Sequence, residues 1–238
     1  QFSSFLINVG LVSGQDARAV PPHYLPVEPL PDACQPTNPC HRLYYMPAND
    51  AVVVMEARSP AFRALAAATL APRRAYRTQA ATGDALAVCH NAAAGVFIVT
   101  TSDLHVEVIE EGSGVLSKRF RTPATAMCCA FVPQLNMLLT GDTKGGLQIW
   151  DYDDIVVSDP ALGRVPTPHM LGAAEALPQP PLPRTHDDRS AAAAATAGHT
   201  DAVLGLLYLE GLGLVASSSM DRTVKLWDLS SRRLKNTL

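Results

Sequence analysis

Residues 198–229 read GHTDAVLGLLYLEGLGLVASSSMDRTVKLWDL. Within this stretch Val203 to Ser219 is the most apolar run of the chain, yet it holds Glu210 together with Gly205, Gly211 and Gly213. Apolar and β-branched residues on both sides of a short Gly-rich break describe two strands and a tight turn. A membrane span would need about 20 uninterrupted apolar residues, so this is not one.

The same strand, turn, strand unit recurs three more times, at Leu43 to Val54 (LYYMPANDAVVV), Ala87 to Val99 (AVCHNAAAGVFIV) and Cys128 to Thr140 (CCAFVPQLNMLLT). The ends of the second strands, Val54, Val99, Thr140 and Ser217, lie 45, 41 and 77 residues apart. The first two intervals match a repeat of about 40–45 residues, the length of one propeller blade. The third is one repeat plus an excess, and residues 155–197 are where the excess lies. That segment holds PTP, PQPPLP and the tract Ala191 to Ala195, with neither helical nor strand periodicity. It is expected to be a long, irregular, exposed insertion. Its Pro178-x-x-Pro181 and Pro180-x-x-Pro183 spacings could serve as polyproline ligands, but no well-placed basic flank completes the motif. Residues 1–39 contain FLINVGLVSG (residues 5–14), which suits one or two strands, and continue through Pro21, Pro22, Pro26, Pro29 and Pro31, which forbid a central strand. They read as the tail of a preceding element and an extended linker. With Gln1 in first place, the chain is expected to be an internal piece of a longer protein.

The third unit runs on into Gly145-Gly146-Leu147-Gln148-Ile149-Trp150-Asp151, and the fourth into Asp221-Arg222-Thr223-Val224-Lys225-Leu226-Trp227-Asp228. Both resemble the last inner strand of a WD40 repeat with its Trp-Asp ending. In the fourth unit Gly198-His199 also stands at the family's interval, His199 being 28 residues before Trp227. The resemblance implies an all-β fold, a partial WD40 β-propeller of about four blades at residues 40–80, 81–122, 123–154 and 198–238. It also implies a structural tetrad of His199, Ser217, Asp221 and Trp227. Asp221 would accept from His199, His199 would engage Ser217, and Ser217 would bond the Trp227 indole N–H. Such a bridge spares each buried polar group a penalty of about 1–3 kcal/mol. In the third unit Lys144 and Thr122 stand where the turn Asp and the His belong, leaving Thr140 and Trp150. Ile109-Glu110 replaces Trp-Asp in the second unit, and the first has no recognisable ending.

Ser, His and Asp in one unit invite comparison with a hydrolase triad, but no G-x-S-x-G elbow surrounds Ser217. There is no Walker loop, dinucleotide fingerprint, H-E-x-x-H or EF-hand loop, so no cofactor is expected. Cys34, Cys40 and His41 lie close together without the paired C-x₂₋₄-C spacing of a zinc site, and no metal is expected. Adjacent Cys128 and Cys129 point to opposite faces of a strand and read as buried, inert thiols. Five cysteines are too few and too odd in number for a stapled secreted domain, which favours a reducing, cytoplasmic compartment. The charge of -3, from 19 basic and 22 acidic residues without long runs, gives no nucleic-acid or membrane footprint. Arg73-Arg74 and Arg232-Arg233 read as solvated strand edges.

What remains is a non-catalytic scaffold for other proteins, part of a larger complex, with Met220 and Arg222 beside the turn Asp as candidate contacts. Leu139-Thr140-Gly141-Asp142-x-x-Gly145 and Ser219 to Asp228 are similar to the WD40 proteins of cilia and flagella, including the group that carries EF-hands elsewhere in its chain. That resemblance implies a place in the axoneme and tubulin or microtubule-associated proteins as partners. A generic cytosolic or nuclear adaptor is the alternative, and so is an enzyme class, a propeller hydrolase or a propeller regulating an attached catalytic domain.

Overall fold

The computed structural model describes residues 39–79, 83–159, 162–171 and 198–238. The linker expected at residues 1–39, save Pro39, together with Cys34, the Pro-x-x-Pro spacings and most of the insertion, lies outside the described residues. The described chain forms sixteen strands and one short α-helix, gathered into four sheets of four antiparallel strands, each laid down in chain order. The first sheet contains β1 (Cys40–Met46), β2 (Ala51–Glu56), β3 (Ala61–Ala66) and β4 (Pro72–Arg77), and the second β5 (Ala85–Asn91), β6 (Val96–Thr101), β7 (His105–Glu110) and β8 (Leu116–Arg121). The third contains β9 (Ala126–Val132), β10 (Met137–Asp142), β11 (Leu147–Asp151) and β12 (His169–Met170), and the fourth β13 (Val203–Leu209), β14 (Leu214–Ser219), β15 (Val224–Asp228) and β16 (Arg233–Thr237). This is an all-β architecture consistent with four WD40 blades.

Local chemistry repeats with the sheets. Each first strand carries a register shift at the same place, leaving His41, Leu86, Met127 and Leu204 as the extra residue. The turn into each second strand ends on a left-handed residue, Asp50, Gly95, Asn136 or Gly213. Asp, Asn and Gly are the residue types that adopt this conformation most readily. Val54, Val99, Thr140 and Ser217 share one register position, opposite Leu43, Val88, Cys129 and Leu206 on the first strands. On the third strands they face Arg63, Glu107, Gln148 and Lys225. Two residues further along those third strands come Leu65, Ile109, Trp150 and Trp227. Leu65-Ala66 is therefore the ending that the first unit keeps in place of Trp-Asp.

Side chains alternate between the two faces of a strand, so each sheet offers one apolar face to the blade before it and one to the blade after. Val53, Met55 and Phe62 of the first blade meet Val88, Phe97 and Ile109 of the second. Phe97 packs edge-on against Phe62 and Tyr76 at centroid distances of 5.4 and 4.7 Å. Ile98, Val106 and Val108 meet Leu138 and Trp150, and Leu139, Leu147 and Ile149 meet Val215 and Trp227. Both tryptophans are fully buried at these interfaces. At about 25 cal/mol per Å² of apolar surface, they are among the largest single contributions to blade stacking.

Two regions differ from expectation. The segment 155–197 does not begin as an irregular loop, because α1 (Tyr152–Val157) caps on Asp151, whose side chain accepts from the Asp153 N–H. Tyr152 and Ile155 share one helix face and pack into the core between the second and third blades. Met170 and His169 then pair with Gln148 and Ile149 of β11, and Leu171 is buried, so the third sheet takes its outer strand from inside the expected insertion. The Arg73-Arg74 pair is likewise not simply solvated. Arg73 donates to the Asn49 carbonyl at 2.5 Å and Arg74 to the Ser113 carbonyl at 2.7 Å, tying edge strand β4 to turns of its own and the next blade.

Candidate functional site

His199 precedes β13, Ser217 lies on β14, Asp221 occupies the β14–β15 turn and Trp227 is the penultimate residue of β15, and the fourth blade brings all four together. The Trp227 indole N–H donates to Ser217 Oγ at 2.7 Å. Ser217 Oγ is 2.7 Å from His199 Nε2, and His199 Nδ1 is 2.8 Å from Asp221 Oδ2. One proton arrangement satisfies every atom: Nδ1–H donates to the carboxylate, and the serine hydroxyl, already an acceptor for Trp227, donates to Nε2. Thr200 N–H donates to Asp221 Oδ2 at 3.1 Å, and Thr223 donates to Oδ1 through its N–H at 2.9 Å and its hydroxyl at 2.6 Å. Desolvation pushes the Asp221 pKa upward, but the hydrogen bonds from Thr223, His199 and Thr200 overcome it and hold the carboxyl well below its usual range.

A nucleophilic serine must be open to substrate. Ser217 is 1% exposed, roofed by Trp227 and His199, with the hydrogen of its hydroxyl committed to the histidine. Serine, histidine and aspartate thus stand in triad order without the access that acyl transfer requires. Their chemistry is the fastening of two strands and a turn.

The third blade builds a different bridge. Trp150 donates to Thr140 Oγ1 at 2.9 Å, Thr140 donates to Gln148 Oε1 at 3.2 Å, and Gln148 Nε2 donates to Asp142 Oδ2 at 3.0 Å. Asp142 Oδ1 also accepts the N–H groups of Lys144 and Gly146, each at 2.8 Å. Sequence reasoning saw Thr140 and Trp150 alone, because it sought the acid at position 144. The structure puts the acid two residues earlier and replaces the histidine with a glutamine on the facing strand. Thr122, in the histidine's sequence place, bonds the carbonyls of Ala124 and Leu104 instead and stays outside the bridge. The legible signal was Asp142-x-x-Gly145-Gly146. Gly145 has φ +85°, and a Cβ there would run into the His199 carbonyl of the next blade.

In the second blade Asp103 occupies the turn position. Thr101 Oγ1 donates to the Asp103 side chain at 2.5 Å, and Arg119 donates to the same carboxylate at 2.7 Å. Glu107, fully buried, accepts the Gln79 N–H at 2.8 Å, while its other oxygen lies 3.2 Å from Arg119 Nε as an ion pair without hydrogen-bond alignment. Burial raises the Glu107 pKa, against the Gln79 hydrogen bond and the Arg119 charge that lower it.

Met220 and Arg222 flank Asp221 and stand outward. Met220 is 58% exposed, and Arg222 is exposed in the left-handed conformation, with φ +69°. The inner strands of all four blades also wall a central cavity of about 490 Å³, lined among others by Tyr44, His90, Phe131 and Tyr208. No group of three or more metal-binding side chains gathers among the described residues. No helix among them is long and apolar enough to cross a membrane.

Residues 194–228 match the family model described as WD domain, G-beta repeat. The match ends on Asp228 and takes in all four residues of the fourth blade's bridge. No curated protein matches the chain. The chain therefore holds a WD40 repeat within four sheets of blade type. Domains of this kind generally serve as platforms for protein partners and are usually non-catalytic.

Proposed function

We propose that this chain is a non-catalytic scaffold that holds other proteins together, and that its working surface is the rim of turns carrying Met220 and Arg222. The observation that carries the reading is the commitment of His199, Ser217 and Asp221 to one another and to Trp227. The groups that could do chemistry are spent inside the blade, while an apolar and a cationic side chain flank them in solvent. A rigid sheet presenting exposed turn residues is the arrangement on which specificity by a few side chains rests.

The narrower form of the proposal is a structural role in the axoneme of cilia or flagella, with tubulin or microtubule-associated proteins as partners. Its support is the resemblance of residues 139–151 and 219–228 to ciliary WD40 proteins. Co-sedimentation with microtubules, and with intact salt-washed axonemes, tests it. Binding to either that falls at least tenfold in Met220→Glu/Arg222→Glu, with an unchanged melting curve, is the expected result. Binding that is absent, or indifferent to both substitutions, overturns the axonemal form. Turnover in a screen of hydrolase and nucleotidase substrates would overturn the non-catalytic reading.

A further inference from the structure

Cys89 and Cys129 belong to β5 and β9, the inner strands of the second and third blades, which run side by side. Cys129 Sγ lies 3.9 Å from the carbonyl oxygen of Ile98, and Ile98 is the direct cross-strand partner of Cys89. Cys129 lies in the apolar cluster between the two blades, and Cys89 packs against that cluster. Both also line the central cavity, Cys89 half-buried and Cys129 only 6% exposed behind it. Neighbouring Cys128 faces the other way, with its Sγ 3.5 Å from the Val203 carbonyl between the third and fourth blades.

We propose that Cys89 and Cys129 are a redox-responsive pair, which a small peroxide entering the central cavity converts into a disulfide joining the second and third blades. The roles follow from access. Cys89, the more open of the two, attacks the peroxide as thiolate: an S–O bond forms, the O–O bond breaks, and hydroxide leaves to become water, giving a sulfenic acid. Cys129 then attacks that sulfur; the S–S bond forms, the S–O bond breaks, and the oxygen departs as water with the Cys129 proton. Two thiols and one hydrogen peroxide give one disulfide and two waters. Cys129 is the resolving partner rather than the first to react, because the neighbouring Cys89 thiol and its own burial push its thiol well above the usual range. Among the described residues no other cysteine packs in the cluster that holds Cys128, and burial pushes its thiol up to about 12. The linkage is independent of the scaffold reading, since it needs only the stacking of two blades.

The test uses the full chain carrying Cys34→Ser and Cys40→Ser, treated in its folded state with hydrogen peroxide and read by intact mass and peptide mapping. The expected result is loss of two hydrogens, one cross-linked peptide joining Cys89 to Cys129, reversal by dithiothreitol, and a melting temperature higher by roughly 5–10 °C in the oxidised form. With Cys129→Ser added, Cys89 should instead accumulate as a sulfenic acid that dimedone traps. With Cys89→Ser added, Cys129 should stay reduced. Oxidation that stops at single thiols in the unsubstituted pair, a cross-link through Cys128, or thiols left unchanged while the fold persists would each overturn the proposal.

Discussion

The third and fourth blades solve one problem with different residues. Each buries an indole N–H at the end of its third strand, and each provides a hydroxyl on the second strand to receive it, Thr140 or Ser217. In the fourth blade a histidine from outside the sheet carries the chain of bonds on to an acid in the turn. In the third a glutamine on the neighbouring strand does so, and the acid sits two residues earlier. What is kept is the satisfaction of a buried donor, not the identity of the residue that satisfies it.

The largest effect should come from the tryptophans. Trp227→Ala and Trp150→Ala each open a cavity in a blade interface and should lower stability by about 3–5 kcal/mol, measured by denaturant unfolding. If the two bridges are equivalent, the losses match within about 1 kcal/mol. A Trp150→Ala variant near wild type would show that the third blade's bridge is an accident of geometry.

The acids come next. Asp221→Ala strands His199, and Asp142→Ala strands Gln148 and two backbone N–H groups, so each should lower stability by about 1–3 kcal/mol. Gln148→Leu should fall in the same range, since it leaves Asp142 and Thr140 without their buried partner. A harmless Gln148→Leu would remove glutamine from the bridge and restore the simpler view that only Thr140 and Trp150 persist there.

Acid should separate the fourth blade from the second. The folded Asp221 carboxyl binds its proton less readily than the unfolded one, so its contribution is whole above the ordinary carboxylate pKa of about 3.9 and drains as pH falls below it. Asp221→Asn should therefore lie closest to wild type in the most acidic buffers and furthest at neutral pH. Glu107 has the opposite sign: its folded carboxyl binds a proton more readily, so its charge opposes folding at neutral pH and that opposition fades on acidification. Glu107→Gln should stay within about 1 kcal/mol of wild type at neutral pH, because Arg119 keeps Asp103 as a partner and Gln79 keeps an acceptor. Midpoints for both variants from pH 7 to pH 3 would check the signs, and parallel curves would contradict them.

Four sheets were legible because each strand, turn, strand unit sets apolar, β-branched or aromatic runs on both sides of a short stretch holding Pro, Asn, Asp or Gly, as in Pro47-Ala-Asn-Asp50 and Glu210-Gly-Leu-Gly213. The fourth blade's bridge was legible because its four residues keep the family's spacing. The third blade's bridge was not, since a glutamine on a strand reads as an ordinary polar residue until Thr140 is placed across from it. Helix α1 escaped for a similar reason: Tyr152 and Ile155 are only two apolar contacts, too few to establish a helical period. Strand β12 is two residues long and owes its pairing to β11, a tertiary contact with no local signature.

Comparing Asp221→Ala with Lys144→Ala tests most directly whether these polar residues fasten blades or serve a site. Lys144 occupies the same turn position one blade earlier, is exposed, and contributes its backbone N–H rather than its side chain to the bridge. In denaturant unfolding at pH 7, Lys144→Ala should lie within about 0.5 kcal/mol of wild type and Asp221→Ala should lose about 1–3 kcal/mol, with partner binding reduced no further than the folded fraction. Equal midpoints for the two variants, with an activity or a binding event abolished in Asp221→Ala alone, would make His199 and Asp221 a working site and contradict the scaffold account.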